Sequence, residues 1–120
     1  MNKLVYGVGV NDLPYRAQVY EYVTENGGKR IRKHVFRCPY YVVWTHMLER
    51  CYSEKYLESN PTYIDASVCS EWVSASAFKK WMEQQDWEGK SLDKDIIVHR
   101  SKLYSPDTCA FVLPATNNFV

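Results

Sequence analysis

Leu92-Asp93-Lys94-Asp95-Ile96-Ile97, followed after a short basic loop by Tyr104-Ser105-Pro106-Asp107-Thr108-Cys109-Ala110-Phe111-Val112, is the stretch that decides the expected fold. Apolar and β-branched residues in both halves predict two short strands, because such side chains suit a half-buried pleated surface. Residues 114–119 then begin a predicted helical turn. Since only six residues follow Pro114 and so short a helix is marginal, we expect a truncated strand–strand–helix (ββα) module at residues 91–120.

The N-terminal third of the chain predicts a β-hairpin with a basic end. Residues 18–24 are rich in β-branched and aromatic side chains, Asn26-Gly27-Gly28 supplies the positive-φ positions of a turn, and residues 32–38 return as a second strand. A two-stranded ribbon of this kind has the right width for a DNA groove. Residues 3–10, with Gly7 and Gly9, predict a further extended segment at a sheet edge.

Two helices are predicted between the hairpin and the terminal module. Pro39 opens the first, and its apolar face carries Tyr40, Trp44, Met47, Leu48 and Cys51 at helical spacing. Ser74 or Ser76 caps the second, which has an apolar stripe of Phe78, Trp81 and Met82. Residues 55–63 are expected to be irregular. The prediction is therefore one α+β domain: a β-rich basic hairpin region at 1–38, a helical region at 39–90 and the ββα remnant at 91–120.

Charge is clustered although the total is small. The 120 residues leave room for one modest core, and the net charge of +1 gives no overall signal for a polyanionic partner. Six basic residues nevertheless lie close together: Lys29, Arg30, Arg32, Lys33, His34 and Arg37. Such a run is either a solvated face or a ribbon that contacts phosphates. Aromatic content is high at 15%, which suits interfaces and base stacking as well as cores.

Several classes of protein and of site receive no support from the sequence. No stretch approaches the roughly 18 apolar residues of a membrane span, and Met1-Asn2-Lys3-Leu4 lacks the core of a signal peptide. We therefore expect a cytoplasmic protein with reduced cysteines and no membrane partner. Cys38, Cys51, Cys69 and Cys109 form no C-x-x-C pair. Ligands from distant segments could still converge, yet buried apolar roles are expected rather than structural Zn²⁺.

A set of motifs carries a resemblance to a known family. The motifs are Trp44-x-x-Met47-Leu48-x-Arg50-Cys51-Tyr52, Pro61-Thr62-Tyr63, Val68-Cys69-x-Glu71-Trp72, Phe78, Leu92-Asp93-Lys94-Asp95 and Tyr104-Ser105-Pro106-x-x-Cys109. In order and spacing they resemble a family of small bacteriophage proteins described as HNH-endonuclease-like DNA-binding proteins. The resemblance covers about residues 40–118, and Tyr6-Gly7-Val8-Gly9-Val10-Asn11-Asp12 resembles closer phage relatives. It implies a ββα platform and a location inside the infected bacterial cell.

The resemblance also implies a nuclease site, and here its pattern is incomplete. The metal-binding Asp of the family matches Asp93, and the helix ligand matches Asn117 or Asn118, whose carbonyl oxygens suit a hard cation. The general-base position matches Lys94, and the middle Asn falls near Thr108. An ammonium group cannot accept the proton of an attacking water. The resemblance therefore implies a degenerate site, with Mg²⁺ or Mn²⁺ as the cofactor if cleavage survives.

Two residues offer alternative chemistry at this site. Asp95 lies two positions after Asp93, which predicts one strand face on which both carboxylates could share a metal ion. His99, in the loop, could act as a displaced general base. The competing interpretations are a solvent-facing acidic pair bound to Lys94 or Lys102, and a loop histidine without a role.

Three functions follow as alternatives. The first is a nucleic-acid-binding protein, DNA being the expected partner, derived from an HNH endonuclease and deficient in cleavage. Its phosphate contacts would come from Lys29, Arg30, Arg32, Lys33, Arg37, Lys94, Arg100 and Lys102. The second is an active metal-dependent nuclease that uses Asp93, Asp95, His99 and Asn118. The third is an anti-defence or host-takeover protein whose aromatic surface binds a bacterial protein, for which a net charge near zero is suitable.

Overall fold

The computed structural model describes residues 3–95, 97 and 99–113 and shows an α+β fold. Among these residues are six strands and three α-helices. In chain order they are β1 (Gln18–Thr24), β2 (Arg30–Arg37), α1 (Pro39–Tyr52), α2 (Glu54–Ser59), β3 (Ser67–Val68), α3 (Ala75–Met82), β4 (Ser91–Asp93), β5 (Leu103–Tyr104) and β6 (Ala110–Val112). None of the described helices is long and apolar enough to cross a membrane.

The predicted N-terminal hairpin is confirmed. β1 and β2 pair antiparallel, with a bulge between Val19 and Tyr20. The turn that joins them places Gly27 and Gly28 at φ 90° and 76°, a region that glycine occupies without steric cost. Seven of the eight residues of β2 are exposed, so the core does not cover this ribbon. The radius of gyration, 16.4 Å, accordingly exceeds the roughly 13.5 Å of a compact domain of this length.

One residue joins the ribbon to the first helix. β2 ends at Arg37 and α1 begins at Pro39, whose missing N–H is harmless at the first helical position. The intervening Cys38 is buried, and its backbone N–H donates to the carbonyl of Ala17 at 2.8 Å. Its Sγ lies 3.0 Å from the hydroxyl of Tyr15. These contacts join the two ends of the hairpin to each other beside the first turn of α1.

The core lies between α1 and α3. As predicted from the helical spacing, α1 buries Trp44, Met47, Leu48 and Cys51, while α3 buries Phe78 and Met82. The indole N–H of Trp44 donates to the carbonyl of Trp72 at 2.8 Å, which satisfies a polar group that would otherwise be costly to bury. Each large apolar side chain buried here contributes about 1.5–3 kcal/mol of transfer free energy.

The prediction of an extended edge strand at residues 3–10 is wrong. Val5 and Gly9 form a bridge around a tight turn in which Tyr6 and Gly7 adopt positive φ, and Val10 pairs with Ser74. Gly9 rests against α1 so closely that a Cβ there would lie 2.4 Å from Leu48 Cδ1 and 2.8 Å from the Trp44 ring. The two glycines thus permit a turn and a close approach, not a strand.

The prediction that residues 55–63 are irregular is also wrong, and the number of helices rises from the predicted two to three. Ser53 caps α2, its hydroxyl accepting from the backbone N–H of Tyr56 at 3.3 Å. Asn60 ends the helix, and its side-chain amide donates to the carbonyl of Tyr56 at 3.0 Å. Residues Pro61–Tyr63 then form one 3-10 turn. Asn60-Pro61 therefore terminates a short helix and does not abolish it.

The terminal module contains the predicted antiparallel pair in a shorter form. β4 pairs with β6, with Leu92 opposite Phe111. The predicted first strand, 92–97, stops at Asp93. The predicted second strand, 104–112, is broken by a turn in which the N–H of Cys109 donates to the carbonyl of Ser105 at 3.0 Å. β5 pairs in parallel with β3 instead. The predicted helical turn at 114–119 lies outside the described residues.

Candidate nucleic-acid interface

One side of the hairpin collects aromatic and basic side chains. In the β1–β2 register Tyr20 faces His34, Tyr22 faces Arg32 and Thr24 faces Arg30. Directly opposed residues point to the same side of an antiparallel pair, and alternate residues of one strand do so too. This side is called the ribbon face and consists of Tyr20, Tyr22, Arg30, Arg32 and His34.

The remaining basic residues of the cluster lie elsewhere on the hairpin. Lys33 pairs with Glu21 on the opposite side of the ribbon. Lys29 lies in the turn, where its carbonyl accepts from the N–H of Glu25 at 2.9 Å. Arg37 lies beyond the bulge, opposite Gln18. The structure therefore brings Arg30 and Arg32 together on one surface and distributes the other three predicted phosphate contacts around it.

Cation–π contacts order the ribbon face. The guanidinium carbon of Arg32 lies 4.2 Å from the centre of the Tyr20 ring, and that of Arg30 lies 4.8 Å from the centre of the Tyr22 ring. The rings of Tyr20 and His34 are 4.4 Å apart. Tyr22 remains 60% exposed. Such contacts contribute about 0.5–1 kcal/mol at exposed sites, enough to bias the two cations toward one geometry without covering them.

His34 titrates below its ordinary range. Desolvation by neighbouring side chains, together with the charges of Arg37 and Arg32, lowers the pKa of His34 below the usual value of 6.5. At neutral pH the imidazole is therefore uncharged and carries both a donor and an acceptor. A phosphate bound beside it would favour the charged form.

A second cluster of predicted residues lines one cleft between the terminal module and the 3-10 turn. The cleft has a volume of about 340 Å³. It is called the basic cleft, and its lining residues are Thr62, Tyr63, Lys94, Asp95, His99, Arg100, Ser101 and Lys102. Five of the residues predicted from the sequence as phosphate contacts or catalytic groups thus meet here. Three of those five carry positive charge and one carries negative charge.

Lys94 is the most enclosed cation of the basic cleft. Its side chain is 11% exposed, and its Nζ lies 3.5 Å from Asp95 Oδ1. The same nitrogen lies 5.3 Å from the centre of the Tyr63 ring and 5.8 Å from that of Tyr104. Two aromatic rings and a carboxylate therefore hold the ammonium where the resemblance places a general base. A group held in this way donates hydrogen bonds and cannot accept a proton.

The other two cations approach the cleft from its second rim. Lys102 Nζ donates to the carbonyl of Thr62 at 2.9 Å, and the carbonyl of Lys102 accepts from Ser67 N–H in the β3–β5 pair. Arg100 adopts φ 60°, a left-handed conformation that is uncommon outside glycine. Ser101 between them is buried. Backbone pairing and a tight turn thus fix the part of the chain that carries the side chains of Arg100 and Lys102.

The prediction that Asp93 and Asp95 share a strand face is wrong. Asp93 is the last residue of β4, and Asp95 lies in the turn that follows. The carboxylate of Asp93 accepts from the backbone N–H of Asp95 at 3.0 Å, the Asx-turn arrangement that ends many strands. Of the two predicted partners for the acidic pair, Lys94 is the one that the structure places beside Asp95.

The described residues do not fit a divalent metal centre. Within residues 3–95, 97 and 99–113 no three His, Cys, Asp or Glu side chains are grouped so that they could hold an ion. Lys94 occupies the space beside Asp95 with a positive charge. Thr108 lies near the position of the middle Asn. Its hydroxyl donates to the carbonyl of Leu103 at 2.6 Å and so stabilises the turn between β5 and β6. Asn117 and Asn118 lie outside the described residues, so a metal role for Asp93 and Asn118 stays a prediction.

The cysteines are largely packed within the protein. Cys38, Cys51 and Cys109 are buried, Cys69 is half-buried, and all four are free thiols. Burial raises the pKa of Cys51 to about 12 and that of Cys109 to about 11. Thiols of this kind are poor nucleophiles because the thiolate is the reactive form.

Sequence reasoning missed the residues that hold Lys94 in place. Tyr63 and Tyr104 each belong to a motif of the family resemblance. Neither motif indicates that both rings approach one ammonium group. Arg50, beside the Tyr104 hydroxyl, was treated as a motif residue. Lys94 and the two tyrosines belong to three separate segments of the chain, so no local pattern in the sequence predicts these contacts.

Comparisons with protein-family models, with curated proteins and with solved structures find no match to this chain. The family resemblance therefore stays a prediction.

Proposed function

We propose that this protein binds nucleic acid, DNA being the expected partner, on a scaffold derived from a phage HNH endonuclease that has lost cleavage. The ribbon face is the observation that carries the proposal. Its two guanidinium groups lie over two tyrosine rings on an exposed two-stranded ribbon. Guanidinium groups bind phosphates in a forked geometry, and tyrosine rings stack on unpaired bases.

The loss of cleavage is proposed from the surroundings of Lys94. Hydrolysis of a phosphodiester needs a group that accepts the proton of the attacking water and a cation that stabilises the leaving oxygen. At the corresponding place the described residues provide an ammonium held by Tyr63, Tyr104 and Asp95. A cation there is suited to bind a phosphate and unsuited to activate water.

A gel-shift titration tests the proposal. The variant Arg30→Glu/Arg32→Glu/Lys33→Glu should lower DNA affinity at least tenfold, because each lost phosphate contact costs favourable counterion release. Wild-type affinity should fall steeply as salt rises. A control variant, Lys80→Glu, reverses one charge on α3, where Lys80 shares a surface cavity with Glu71 and Asp107, and should change the affinity by less than about threefold. Unchanged binding by the hairpin variant at native circular dichroism would contradict the proposal.

A protein partner is the second candidate, favoured by one observation. Apolar side chains are exposed near the root of the ribbon, where Val35 is 59% and Phe36 44% exposed and the rings of Tyr15 and Phe36 lie 6.5 Å apart. Neighbouring exposed apolar side chains suit the core of a protein–protein interface. Capture of one bacterial protein from nuclease-treated lysate, abolished by Val35→Ser/Phe36→Ser and retained by Arg30→Gln/Arg32→Gln, would favour the anti-defence or host-takeover role. Capture that both variants retain would count against it.

A further inference from the structure

We propose that the basic cleft binds a phosphate monoester, either the terminal phosphate of a nucleic-acid strand or the phosphate of a free nucleotide. For a strand end as the ligand, the inference depends on the proposed function. The residues of the basic cleft are separate from those of the ribbon face.

The basic cleft carries an excess of positive charge, which favours an anionic ligand. Asp95 is the only carboxylate that the described residues place within 4 Å of Lys94 Nζ. For the side chains of Arg100 and Lys102, the described part of the chain offers no carboxylate within the same distance. The charged side chains that line this concave space, His99 apart, are therefore three cations and one carboxylate. Lys94, the enclosed cation, is costly to remove from water without a compensating anion, so the space favours a negatively charged ligand.

The geometry keeps Lys94 available to such a ligand. Its separation of 3.5 Å from Asp95 Oδ1 exceeds the usual N–H···O range, so the ion pair leaves donor capacity unused. The rings of Tyr63 and Tyr104 flank the ammonium at 5.3 and 5.8 Å and attract it without accepting a conventional hydrogen bond. An oxyanion entering the cleft would therefore find a positioned, desolvated donor.

The second rim supplies the remaining donors. Lys102 reaches the carbonyl of Thr62 at 2.9 Å, which places its ammonium at the edge of the 3-10 turn that also carries Tyr63. Arg100 contributes a guanidinium group from a backbone conformation fixed between the turn and Ser101. Two ammonium groups and one guanidinium group together present more hydrogen-bond donors than a single carboxylate can satisfy.

Charge and size favour a monoester over an internal phosphodiester. A monoester carries close to two negative charges at neutral pH and presents three terminal oxygens, whereas a diester carries one charge. The volume of about 340 Å³ is at the small end of ligand pockets. A phosphate with its adjoining sugar suits such a space, and a duplex does not. The basic cleft would then recognise strand ends while the ribbon face contacts the strand interior.

Fluorescence anisotropy with three internally labelled oligonucleotides of one sequence tests the inference. They carry a 5′-phosphate, a 3′-phosphate or hydroxyl groups at both ends. Wild-type protein should bind one phosphorylated form about tenfold more tightly than the hydroxyl form, the worth of one charge-assisted contact. Lys94→Met, which retains the buried stem, and Lys102→Gln should each bring that ratio close to one. Arg32→Gln on the ribbon face should weaken binding of all three forms and preserve the ratio.

Calorimetric titration with adenosine monophosphate and with inorganic phosphate separates the possible sources of the anion. Binding of either one that Lys94→Met or Lys102→Gln abolishes supports the site, whatever the oligonucleotides show. A wild-type ratio of one, with no lysine-dependent binding of either small anion, overturns the inference. If ribbon-dependent binding persists in that case, the proposed function survives alone. Should no oligonucleotide bind while adenosine monophosphate does, the proposed function fails and the phosphate site stands.

Discussion

The guanidinium carbon of Arg32 lies 4.2 Å from the centre of the Tyr20 ring, and the pair formed by Arg30 and Tyr22 is its neighbour along the same ribbon face. Two cations are therefore ordered by two rings before any ligand arrives. Pre-ordering of this kind reduces the side-chain entropy that is lost on binding, about 0.5–1.5 kcal/mol for each immobilised long side chain. It also places Arg30 beside the exposed ring of Tyr22, a surface on which a base can stack.

We expect Tyr22→Ala to weaken binding of a single-stranded oligonucleotide about fivefold to a hundredfold, the range that corresponds to the loss of one base–aromatic stack. Tyr22 is the ring to change because it is 60% exposed and contributes little to the core. Tyr22→Phe is the matched control and should bind within about twofold of wild type, because the ring and its contact with Arg30 remain. Anisotropy titrations measure all three proteins. Equal loss in both variants would assign the effect to the hydroxyl group instead.

We expect nucleic-acid affinity to rise about threefold to tenfold as the pH falls from about 7.5 to about 5.5, because a bound phosphate favours the charged imidazole of His34. The stability of the folded protein should instead decrease as the pH falls. The pKa of His34 is lowered in the folded protein by desolvation and by Arg37 and Arg32, so the unfolded chain takes up the proton first. The contribution of His34 to stability is present above the unfolded value near 6.5 and is lost as the pH falls through the folded value.

The control for this pH effect is His34→Gln, which keeps a polar side chain that cannot become charged. Its affinity should vary less with pH than that of wild type, while His46 and His99 are unchanged in both proteins. If the two titrations have the same pH dependence, His34 does not contact the phosphate.

We expect no cleavage of plasmid DNA in Mg²⁺ or Mn²⁺, because Lys94 and not a proton acceptor lies beside Asp95. Asp93→Ala should leave this result unchanged and should instead lower stability by about 1 kcal/mol, since the Asp93 carboxylate accepts from the N–H of Asp95. An agarose gel and a thermal melt measure the two effects. Metal-dependent nicking that disappears in Asp93→Ala and in His99→Ala would establish the nuclease alternative.

We expect Asp12→Ala to lower the unfolding free energy by about 1 kcal/mol, the typical worth of a helix cap. Asp12 lies far from α3 in sequence, yet its Oδ1 accepts from the N–H of Ser76 at 2.8 Å and its Oδ2 from the hydroxyl of Ser74 at 2.6 Å. Asp12→Asn retains an acceptor and should lose less. Urea denaturation followed by tryptophan fluorescence gives both values. Equal stability of Asp12→Ala and wild type would show that Ser74 alone caps the helix.

The hydrogen bonds of Asp12 also predict how stability depends on pH in acid. Although desolvation opposes the change, the hydrogen bonds from Ser74 and Ser76 lower the pKa of Asp12 below its usual 3.8. The contribution of Asp12 is therefore complete above the unfolded pKa and is lost as the pH falls through the folded one. The difference in stability between wild type and Asp12→Asn should narrow below about pH 3.8.

The sequence predicted the elements whose signals are local. The spacing of Trp44, Met47, Leu48 and Cys51 identifies the buried face of α1, and Gly27-Gly28 between two β-rich runs identifies the hairpin. Strand lengths in the terminal module were overestimated because Ile96 and Ile97 favour strands, while the carboxylate of Asp93 ends β4 by binding the next turn. The parallel pairing of β3 with β5 joins residues 36 positions apart and leaves no periodic pattern to find.

The sequence predicted which residues belong to the candidate site, but it did not predict how they are arranged in space. The basic residues at 29–37 and at 94–102 were identified as phosphate contacts, but only register shows that Arg30 and Arg32 share a side that Lys33 does not. Lys94 was predicted to interrupt the catalytic pattern, whereas its position between Tyr63 and Tyr104 depends on tertiary packing.

The junction at Cys38 has a mechanical consequence. One residue separates β2 from α1, and that residue bonds to Ala17 and Tyr15 just ahead of β1, so the two ends of the hairpin meet at the first turn of α1. A short connection leaves few backbone torsions through which the ribbon could change its orientation. A nucleic-acid strand bound at Arg30 and Arg32 would therefore transmit force to the helix that buries Trp44.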